Sequence, residues 1–407
     1  MKTGIINTLP TVVEHPGAEY FSPAELLGEL ISEKMRDDST FYLLSPDETT
    51  SNRLDAAYNS TSRSWAMPTE PWDLPEAENG RIIELLSENA LFATMVGHIL
   101  GSHEPAMMTS YESFFSIITS QVIQYLKFLE QTSEAKKLAK TPIQDYPAAN
   151  LISTSTCWRQ DHNGFSHQSP TLISTLLSIP NAPVNCLFPA DDISAAAAFE
   201  FMDTSENVVN LTTFNKTEEP RWIDLNHARF QFKNGGASVF GFATNADAEN
   251  ADFILTSAGD IATREALRTV EILHQDLPDL KIRFIGINAL SYNKIGTTKT
   301  PLSQEAFVSL FGYHTPIIAN FHGFPDTLKN ILRNYTSQTI YAHGFMEQGS
   351  TITPLEMLRL NHASRYDLAI DAAKICNRED LVRKYQDILS ENHAYALTNG
   401  IDKITIL

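Results

Sequence analysis

The sequence is poor in cysteine and in positive charge. Its 407 residues include three cysteines, Cys157, Cys186 and Cys376, which are too few and too scattered for a disulfide framework. We therefore expect reduced thiols in the core of a cytoplasmic protein. Lysine and arginine number 30 against 49 acidic residues, a net charge of −19. Such a charge repels nucleic-acid backbones and anionic lipid, so an anionic substrate requires a site where basic groups gather locally.

Long apolar runs are also missing. A membrane span needs roughly 18 uninterrupted apolar residues, and no stretch of the sequence approaches this length. The longest apolar region, residues 114–129, is interrupted by five serine, threonine and glutamine residues. Residues 1–7 lack the apolar stretch and small-residue cleavage site of a signal peptide. These absences predict a soluble protein.

Short apolar runs of the strand type alternate with helical patterns, which indicates α/β units around a parallel sheet. A capping box with a proline at the first helical position, Ser22-Pro23-Ala24-Glu25, begins a helix that extends to about Met35. In the first half the patterns predict strands at 41–44, 81–86, 149–156, 184–187 and 208–214, with a helical turn as the alternative at 81–86. They predict further helices at 90–101, 111–137, 170–177 and 193–202.

The charged and then glycine-rich segment 216–236 is predicted to be a linker between two domains. Beyond it the alternation resumes, with strands at 251–256, 282–287, 316–320 and 339–343. Helices are predicted at 262–273, 304–310 and 326–332, and mostly helical structure from 354 to about 396. We therefore predict two consecutive α/β domains, residues 1–228 and 229–407, each with a largely parallel sheet flanked by helices.

Polar residues cluster directly after four predicted strands of the first domain. The clusters are 47–53, 87–89, 160–168 and 215–216. In open parallel sheets, ligands bind at the carboxyl ends of the strands. If these strands are parallel, the clusters lie at one edge of the sheet, which predicts a binding site there.

The densest cluster, residues 160–168, combines amide, hydroxyl and imidazole side chains with Gly164, which supplies backbone freedom. Its amides and hydroxyls can bond to sugar hydroxyls or phosphate oxygens, and His162 and His167 can carry protons near neutral pH. Alternatively, the segment is a capped turn whose polar groups bond to its own backbone. A zinc site with Cys157 is a weaker alternative, because the two histidines lack the four-residue spacing of a helical zinc motif.

Three charged residues are further candidates. Arg53 and Lys216 are the obvious anion-binding groups in so acidic a chain, although each is alternatively a solvated surface charge. Glu88 follows an apolar run. It is either an exposed carboxylate at a strand end or a partly buried acid, and composition favours the exposed carboxylate.

Residues 157–168 closely resemble the Trp-Arg-Gln-Asp-His-Asn-Gly-Phe-Ser-His-Gln run of phosphoketolases, which are thiamine-diphosphate enzymes of the transketolase group. Residues 46–54 and 83–88 resemble the family's Pro-Asp-Glu-Thr-x-Ser-Asn-Arg-Leu and Glu-x-Leu-Ser-Glu elements. Segments 277–283, 321–325 and 349–354 are also similar to the family. The resemblance covers nearly the whole chain, but only the last two of the three phosphoketolase domains. It implies a pyrimidine-binding domain followed by a transketolase-like C-terminal domain.

The resemblance also implies roles for individual residues. Glu88 matches the catalytic glutamate that bonds to the pyrimidine ring of the cofactor, and Tyr111 matches an aromatic residue that packs near it. Four residues match those that bind sugar hydroxyls and assist proton transfers, with both histidines catalytic: Gln160, His162, Asn163 and His167. Three match positions that hold the substrate phosphate: Ser51, Arg53 and Lys216.

The reaction implied is cleavage of xylulose 5-phosphate or fructose 6-phosphate with inorganic phosphate to give acetyl phosphate and an aldose phosphate. The sequence lacks the family's Gly-Asp-Gly element, followed by an asparagine, that would hold Mg²⁺ and diphosphate. We therefore predict that thiamine diphosphate is shared with a partner chain, which also holds Mg²⁺, in an oligomer. The alternative is a non-catalytic phosphoketolase-like subunit that binds or regulates a full-length enzyme.

Overall fold

The computed structural model of the chain describes residues 4–46, 49–73, 76–140, 142–160 and 162–404. The chain forms two units, which we call unit 1 (Met1–Ser155 and Ile179–Phe230) and unit 2 (Thr156–Ser178 and Gln231–Leu407). Unit 2 thus includes a segment that precedes the last quarter of unit 1 in the sequence. The consecutive domains 1–228 and 229–407 stay a prediction.

The strands of the described residues are as follows: β1 (Tyr20–Phe21), β2 (Tyr42–Ser45), β3 (Arg63–Ser64), β4 (Glu76–Ala77), β5 (Ile82–Glu84), β6 (Ala106–Tyr111), β7 (Ala149–Thr154), β8 (Val184–Leu187), β9 (Val209–Thr213), β10 (Glu219–Pro220), β11 (Ala237–Val239), β12 (Phe253–Ala258), β13 (Ile282–Ile287), β14 (Ala289–Ser291), β15 (Lys294–Ile295), β16 (Ile317–Phe321) and β17 (Ile340–His343).

The helices of the same residues are as follows: α1 (Pro23–Asp37), α2 (Glu88–Ser102), α3 (Thr119–Leu138), α4 (Thr171–Ser178), α5 (Asp192–Asp203), α6 (Leu225–Lys233), α7 (Asp260–Asp276), α8 (Gln304–Phe311), α9 (Pro325–Arg333), α10 (Pro354–Leu360), α11 (Arg365–Ile375) and α12 (Glu379–Asn399). None of these described helices is both long enough and apolar enough to span a bilayer.

The main sheet of unit 1 has the strand order β8-β9-β7-β6-β2-β5-β3-β4. Every neighbouring pair in this order is parallel. The central strands β6, β7 and β9 are almost entirely buried, as is typical of a parallel sheet covered on both faces. Because the strands run in one direction, the loops that follow them leave from the same edge of the sheet, as the sequence predicts.

The sequence prediction is wrong around Tyr111. A helix is expected from this residue to about residue 137, but Tyr111 ends the strand β6, a short 3-10 turn covers Phe114–Ile118, and α3 begins only at Thr119. The strand was missed because all but one of its residues are buried, so it lacks the alternation of polar and apolar residues that reveals a strand.

Glu88 is not a strand-end carboxylate. Strand β5 ends at Glu84, and Glu88 is the first residue of helix α2. Ser87 caps this helix by accepting a hydrogen bond from the Ala90 N–H at 3.3 Å. The predicted linker also contains regular structure, namely β10 and α6.

The sheet of unit 2 has the strand order β11-β13-β12-β16-β17, in which only β11 is antiparallel to its neighbour. The predicted strand 282–287 coincides with β13, and the other three predicted strands lie within two residues of β12, β16 and β17. Helices α10, α11 and α12 form the predicted helical end of the chain. The short strands β11, β14 and β15 were not predicted, because two or three residues carry too little periodicity.

All three cysteines are free thiols. Cys157 and Cys186 are buried, as expected of core thiols, whereas Cys376 is partly exposed. Burial also raises the pKa of the Cys186 thiol well above its usual value, which suppresses its reactivity.

Candidate functional site

Candidate residues of unit 1 follow strands that end at one edge of its sheet. Ser51 and Arg53 lie in the loop after β2, Glu88 follows β5, and Lys216 follows β9. Tyr111 is the last residue of β6. Asp47 and Glu48, which belong to the same predicted cluster as Ser51 and Arg53, lie outside the described residues.

Tyr111 connects two of the predicted phosphate-binding residues. Its hydroxyl donates a hydrogen bond to Ser51 Oγ at 3.1 Å, and the Lys216 ammonium lies 4.8 Å from the centre of its ring. The Phe114 ring stacks on the same tyrosine, with the ring centres 5.8 Å apart. A hydroxyl and a cation beside one aromatic ring suit an anionic ligand whose other part is flat or apolar.

Arg53 is held by a carboxylate of the same unit. Its backbone is left-handed (φ 62°), and its guanidinium lies 2.6 Å from Glu25 Oε1. Glu25 lies in the first turn of α1. Ser22 caps this helix, because its Oγ accepts a hydrogen bond from the Glu25 N–H at 3.1 Å. The two paired side chains are 53% and 54% exposed, so their attraction contributes at most about 1 kcal/mol. A phosphate group can therefore compete with Glu25 for Arg53.

Glu88 stands at the amino end of α2, where the helix dipole favours a negative charge. The Ser110 hydroxyl, on β6, donates a hydrogen bond to its Oε1 at 3.3 Å. Within the described ranges this hydroxyl is the only hydrogen-bond partner of the carboxylate. The acid is partly buried and still able to bond to a ligand.

Several buried polar atoms near this edge have no hydrogen-bond partner among the described residues. They belong to the loops after β2 and β6, to the residue after β7, and to the end of β9: Asn52 Nδ2, Ser113 Oγ, Ser116 Oγ, Ser155 Oγ, Thr212 Oγ1 and Thr213 Oγ1. An unpaired buried polar atom costs roughly 1–3 kcal/mol. Such atoms can bond to water or to a polar ligand that reaches this edge.

Sequence reasoning missed two residues of this edge, Ser110 and Glu25. Asn52 belongs to the predicted cluster 47–53, and its side-chain oxygen accepts a hydrogen bond from the Thr154 hydroxyl. Ser110 lies in the strand that was missed, and the pairing of Glu25 with Arg53 joins residues 28 positions apart, which no local pattern reveals.

The family-like run 157–168 belongs to unit 2. It begins with a 3-10 turn at Cys157–Arg159. Cys157 and Trp158 are buried in an apolar cluster with residues of α10, among them Leu355 and Met357. This environment makes Cys157 a buried core thiol, as the sequence predicts.

The turn that follows carries the four predicted sugar-binding residues: Gln160, His162, Asn163 and His167. Gln160 is buried and accepts a hydrogen bond from Asn163 Nδ2 at 2.5 Å. The His162 side chain is exposed and makes no hydrogen bond with the described residues, whereas His167 Nδ1 lies 2.8 Å from Ser166 Oγ. The segment is therefore partly a self-bonded turn and partly a set of exposed polar groups. Asp161 lies outside the described residues.

Two family models match the chain. The model for D-xylulose 5-phosphate/D-fructose 6-phosphate phosphoketolase matches residues 24–203, and the model for the C-terminal domain of the same family matches residues 216–407. The chain belongs to the phosphoketolase family. The family resemblance seen in the sequence is thereby confirmed over most of the chain.

Curated phosphoketolase relatives agree. A probable phosphoketolase of Bradyrhizobium diazoefficiens is 32% identical over 402 residues, which cover 96% of this chain and 49% of the relative. Probable phosphoketolase 1 of Nostoc sp. is 33% identical over 415 residues, which cover 97% of this chain and 50% of the relative. The chain therefore spans about half the length of the curated relatives it matches.

Solved structures share the fold. A transketolase of Pichia stipitis, in complex with sedoheptulose 7-phosphate, matches with a TM-score of 0.68 at 18% identity, over 92% of this chain and 48% of that one. A split-gene transketolase, described as an inactive β4 tetramer, matches with a TM-score of 0.55 at 13% identity, over 89% of this chain and 99% of that one. The predicted α/β fold class is confirmed as transketolase-like.

Proposed function

We propose that this chain supplies the C-terminal half of a thiamine-diphosphate-dependent phosphoketolase, as a subunit that needs a partner chain. The complete enzyme would cleave xylulose 5-phosphate or fructose 6-phosphate with inorganic phosphate to acetyl phosphate and an aldose phosphate. The observation that carries the proposal is the carboxyl edge of the unit 1 sheet. There Ser51, Tyr111 and Lys216 meet, and Glu88 keeps a carboxylate available for a ligand.

The residues present fit the pyrimidine ring of thiamine diphosphate. When bound, the cofactor supplies the electron sink that the protein's side chains lack. Glu88 would hold the ring by a hydrogen bond from its carboxyl group and exchange a proton with it, while Ser110 orients that carboxyl group. Tyr111 would pack near the ring. The unpaired buried atoms at this edge support the fit, because a polar ligand would complete their bonding.

The substrate roles follow from side-chain chemistry. Arg53, Lys216 and Ser51 supply two cations and a hydroxyl for the phosphate group. Gln160 and Asn163 supply amides for the sugar hydroxyls. His162 and His167 supply imidazole nitrogens that exchange protons near neutral pH.

The partner chain would hold the diphosphate and Mg²⁺. Two observations support this division: these 407 residues contain no Gly-Asp-Gly element, and the fold is similar to that of a split-gene transketolase chain described as an inactive β4 tetramer. We accordingly propose that the chain acts within an oligomer. A cytoplasmic location also remains part of the proposal.

Reconstitution tests the proposal. The chain is mixed with a candidate partner that carries the Gly-Asp-Gly element, and acetyl phosphate is measured with each sugar phosphate. We expect activity from the mixture and none from either chain alone. Absence of acetyl phosphate from the mixture contradicts the proposal. Tight, Mg²⁺-dependent binding of thiamine diphosphate by the isolated chain, measured by calorimetry, contradicts the need for a partner.

A second candidate function is a non-catalytic subunit that binds or regulates a full-length phosphoketolase. The pairing of Arg53 with Glu25 and the acidic Glu218 near Lys216 favour it, because both lower the positive charge available to phosphate. Titration of the chain into a full-length phosphoketolase tests this function. Unchanged kinetics together with no co-elution removes it.

A further inference from the structure

The start of the family-like run is anchored inside unit 2. The Trp158 indole N–H donates to the His322 carbonyl oxygen at 2.8 Å, and its ring meets the Phe345 ring edge-on, with centres 5.4 Å apart. Both partners lie far along the chain, in the second half of the sequence. The run therefore depends on unit 2 for its position, although strands of unit 1 flank it in the sequence.

The end of the polar turn is fixed by one buried side chain. Gln168 is 3% exposed. Its Nε2 donates to the Gln160 carbonyl oxygen at 2.8 Å, which closes the turn, and to the Ser350 carbonyl oxygen at 3.2 Å. Gly164 lies close to the same residue, Ser350, since a Cβ atom at position 164 would be 3.1 Å from Ser350 Oγ. Its φ of 73° also suits glycine.

Ser350 lies in segment 346–355, which is held by hydrogen bonds at both ends. Asn361 is fully buried, and its Oδ1 accepts hydrogen bonds from the Met346 and Gln348 N–H groups at 2.7 and 3.2 Å. At the other end, Asp402 accepts from the Thr353 hydroxyl at 2.6 Å and from the Leu355 N–H at 2.8 Å. Because both ends are fixed, the Ser350 carbonyl oxygen has a defined position for Gln168.

We propose that unit 2 positions the polar turn 160–168 through Gln168, and that segment 346–355 is the support on which the turn is held. Gln168 is a positioning residue, since it acts through the turn that carries His162, Asn163 and His167. Through this turn, unit 2 takes part in binding the substrate. This role in substrate binding rests on the proposed function, whereas the positioning of the turn by Gln168 does not.

Gln168→Leu in the full chain tests the proposal by hydrogen exchange of the backbone amides of 162–167. The substitution removes both hydrogen bonds, so we expect exchange there to rise about tenfold. Gln338→Leu is the matched control. Gln338 also lies in unit 2, is 9% exposed, and donates through Nε2 to two carbonyl oxygens, of Phe311 at 2.9 Å and Thr315 at 2.6 Å. It should leave exchange in the turn unchanged.

Asp402→Ala gives a second test that leaves the turn's own residues intact. We expect faster exchange at 349–355 and a smaller increase at 162–167. If exchange in the turn is unchanged in both Gln168→Leu and Asp402→Ala, the proposal is overturned. If Gln168→Leu does not fold, an unchanged turn in Asp402→Ala overturns it alone.

Kinetics of the reconstituted enzyme separate this inference from the proposed function. Gln168→Leu should raise the KM for the sugar phosphate more than it lowers kcat, because the turn binds the ligand less well when it moves. Faster exchange with an unchanged KM supports the positioning role of Gln168 and contradicts sugar binding by the turn.

Discussion

The carboxyl edge of the unit 1 sheet and the buried ion pairs of unit 2 differ in whether their buried polar groups have hydrogen-bond partners. At the edge, Thr212 and Thr213 are buried with hydroxyls that no described residue satisfies. In unit 2, the buried Glu265 carboxylate accepts hydrogen bonds from Arg365 Nε at 2.9 Å, from Arg365 Nη2 at 2.8 Å and from Arg264 Nε at 3.2 Å. Unpaired buried groups reduce stability, whereas a fully hydrogen-bonded network contributes to the fold.

The largest expected effect is on stability in unit 2. Glu265→Gln removes the charge that balances two buried arginines, so we expect the free energy of unfolding to fall by about 3–5 kcal/mol. Urea unfolding, monitored by circular dichroism, measures this free energy. Glu271→Gln is the control, because Glu271 lies on the same helix in a pair with Arg268 but is 50% exposed. Glu271→Gln should lower the free energy of unfolding by less than about 1 kcal/mol. Equal losses would show that the buried network of Glu265 contributes no more to stability than an exposed ion pair.

The same network predicts a pH dependence. Burial opposes ionisation of Glu265, but the charges and hydrogen bonds of Arg365 and Arg264 outweigh it and lower its pKa to about 2 from the ordinary 4.5. Because the folded pKa is the lower one, the stabilisation is complete above about pH 4.5 and is lost as the pH falls toward 2. The difference in the free energy of unfolding between the parent chain and Glu265→Gln should shrink as the pH falls through this window. A constant difference would show that the charge of Glu265 is not the source of the stabilisation.

The edge of unit 1 should respond in activity rather than in stability. We expect Glu88→Gln to lower acetyl phosphate formation by the reconstituted enzyme at least about 100-fold, because the amide cannot exchange a proton with the pyrimidine ring. Its melting temperature should match that of the parent chain. Glu130→Gln, an exposed glutamate on α3, is the control. Activity retained in Glu88→Gln would remove this residue from the proposed chemistry.

Two threonines compare the regions directly. Thr213→Val removes a buried hydroxyl without a described partner, so the free energy of unfolding should stay equal or rise. Thr269→Val in unit 2 removes a buried hydroxyl that bonds to the Glu265 and Arg365 carbonyl oxygens at 2.8 and 3.1 Å. It should lower stability by about 1 kcal/mol. Urea unfolding of both variants measures the difference, and the reverse order would refute the view of the edge as a ligand site.

The smallest expected effect concerns Glu25. Glu25→Gln frees the Arg53 guanidinium from its counter-ion, so phosphate affinity of the chain should rise about threefold at low salt. Phosphorus NMR titration with inorganic phosphate measures it. Glu29→Gln is the control, since Glu29 lies one turn further along α1, is exposed and forms no ion pair within the described ranges. Equal affinities of the two variants would mean that Glu25 does not compete for Arg53.

Sequence patterns predicted all the longer strands of unit 2, and those of unit 1 except β6. Strand β13 and helix α8 begin at the predicted residues, because their apolar residues follow the expected periods and clear breaks flank them. In unit 1 the patterns leave residues 106–110 of the buried strand β6 unassigned and place its last residue, Tyr111, in a helix. A central strand of a parallel sheet is buried on both faces, which removes the alternation that identifies strands.

The sequence by itself determined the fold class, the family and the identity of the candidate residues, because short motifs and apolar periods are local properties of the chain. Only the tertiary structure decided what these residues contact. It grouped the 157–168 run with unit 2, tied Gln168 to Ser350 at a separation of 182 positions, and paired Glu25 with Arg53. Such contacts arise when distant segments are packed against one another, and the free energy of that packing belongs to the folded chain rather than to any local pattern.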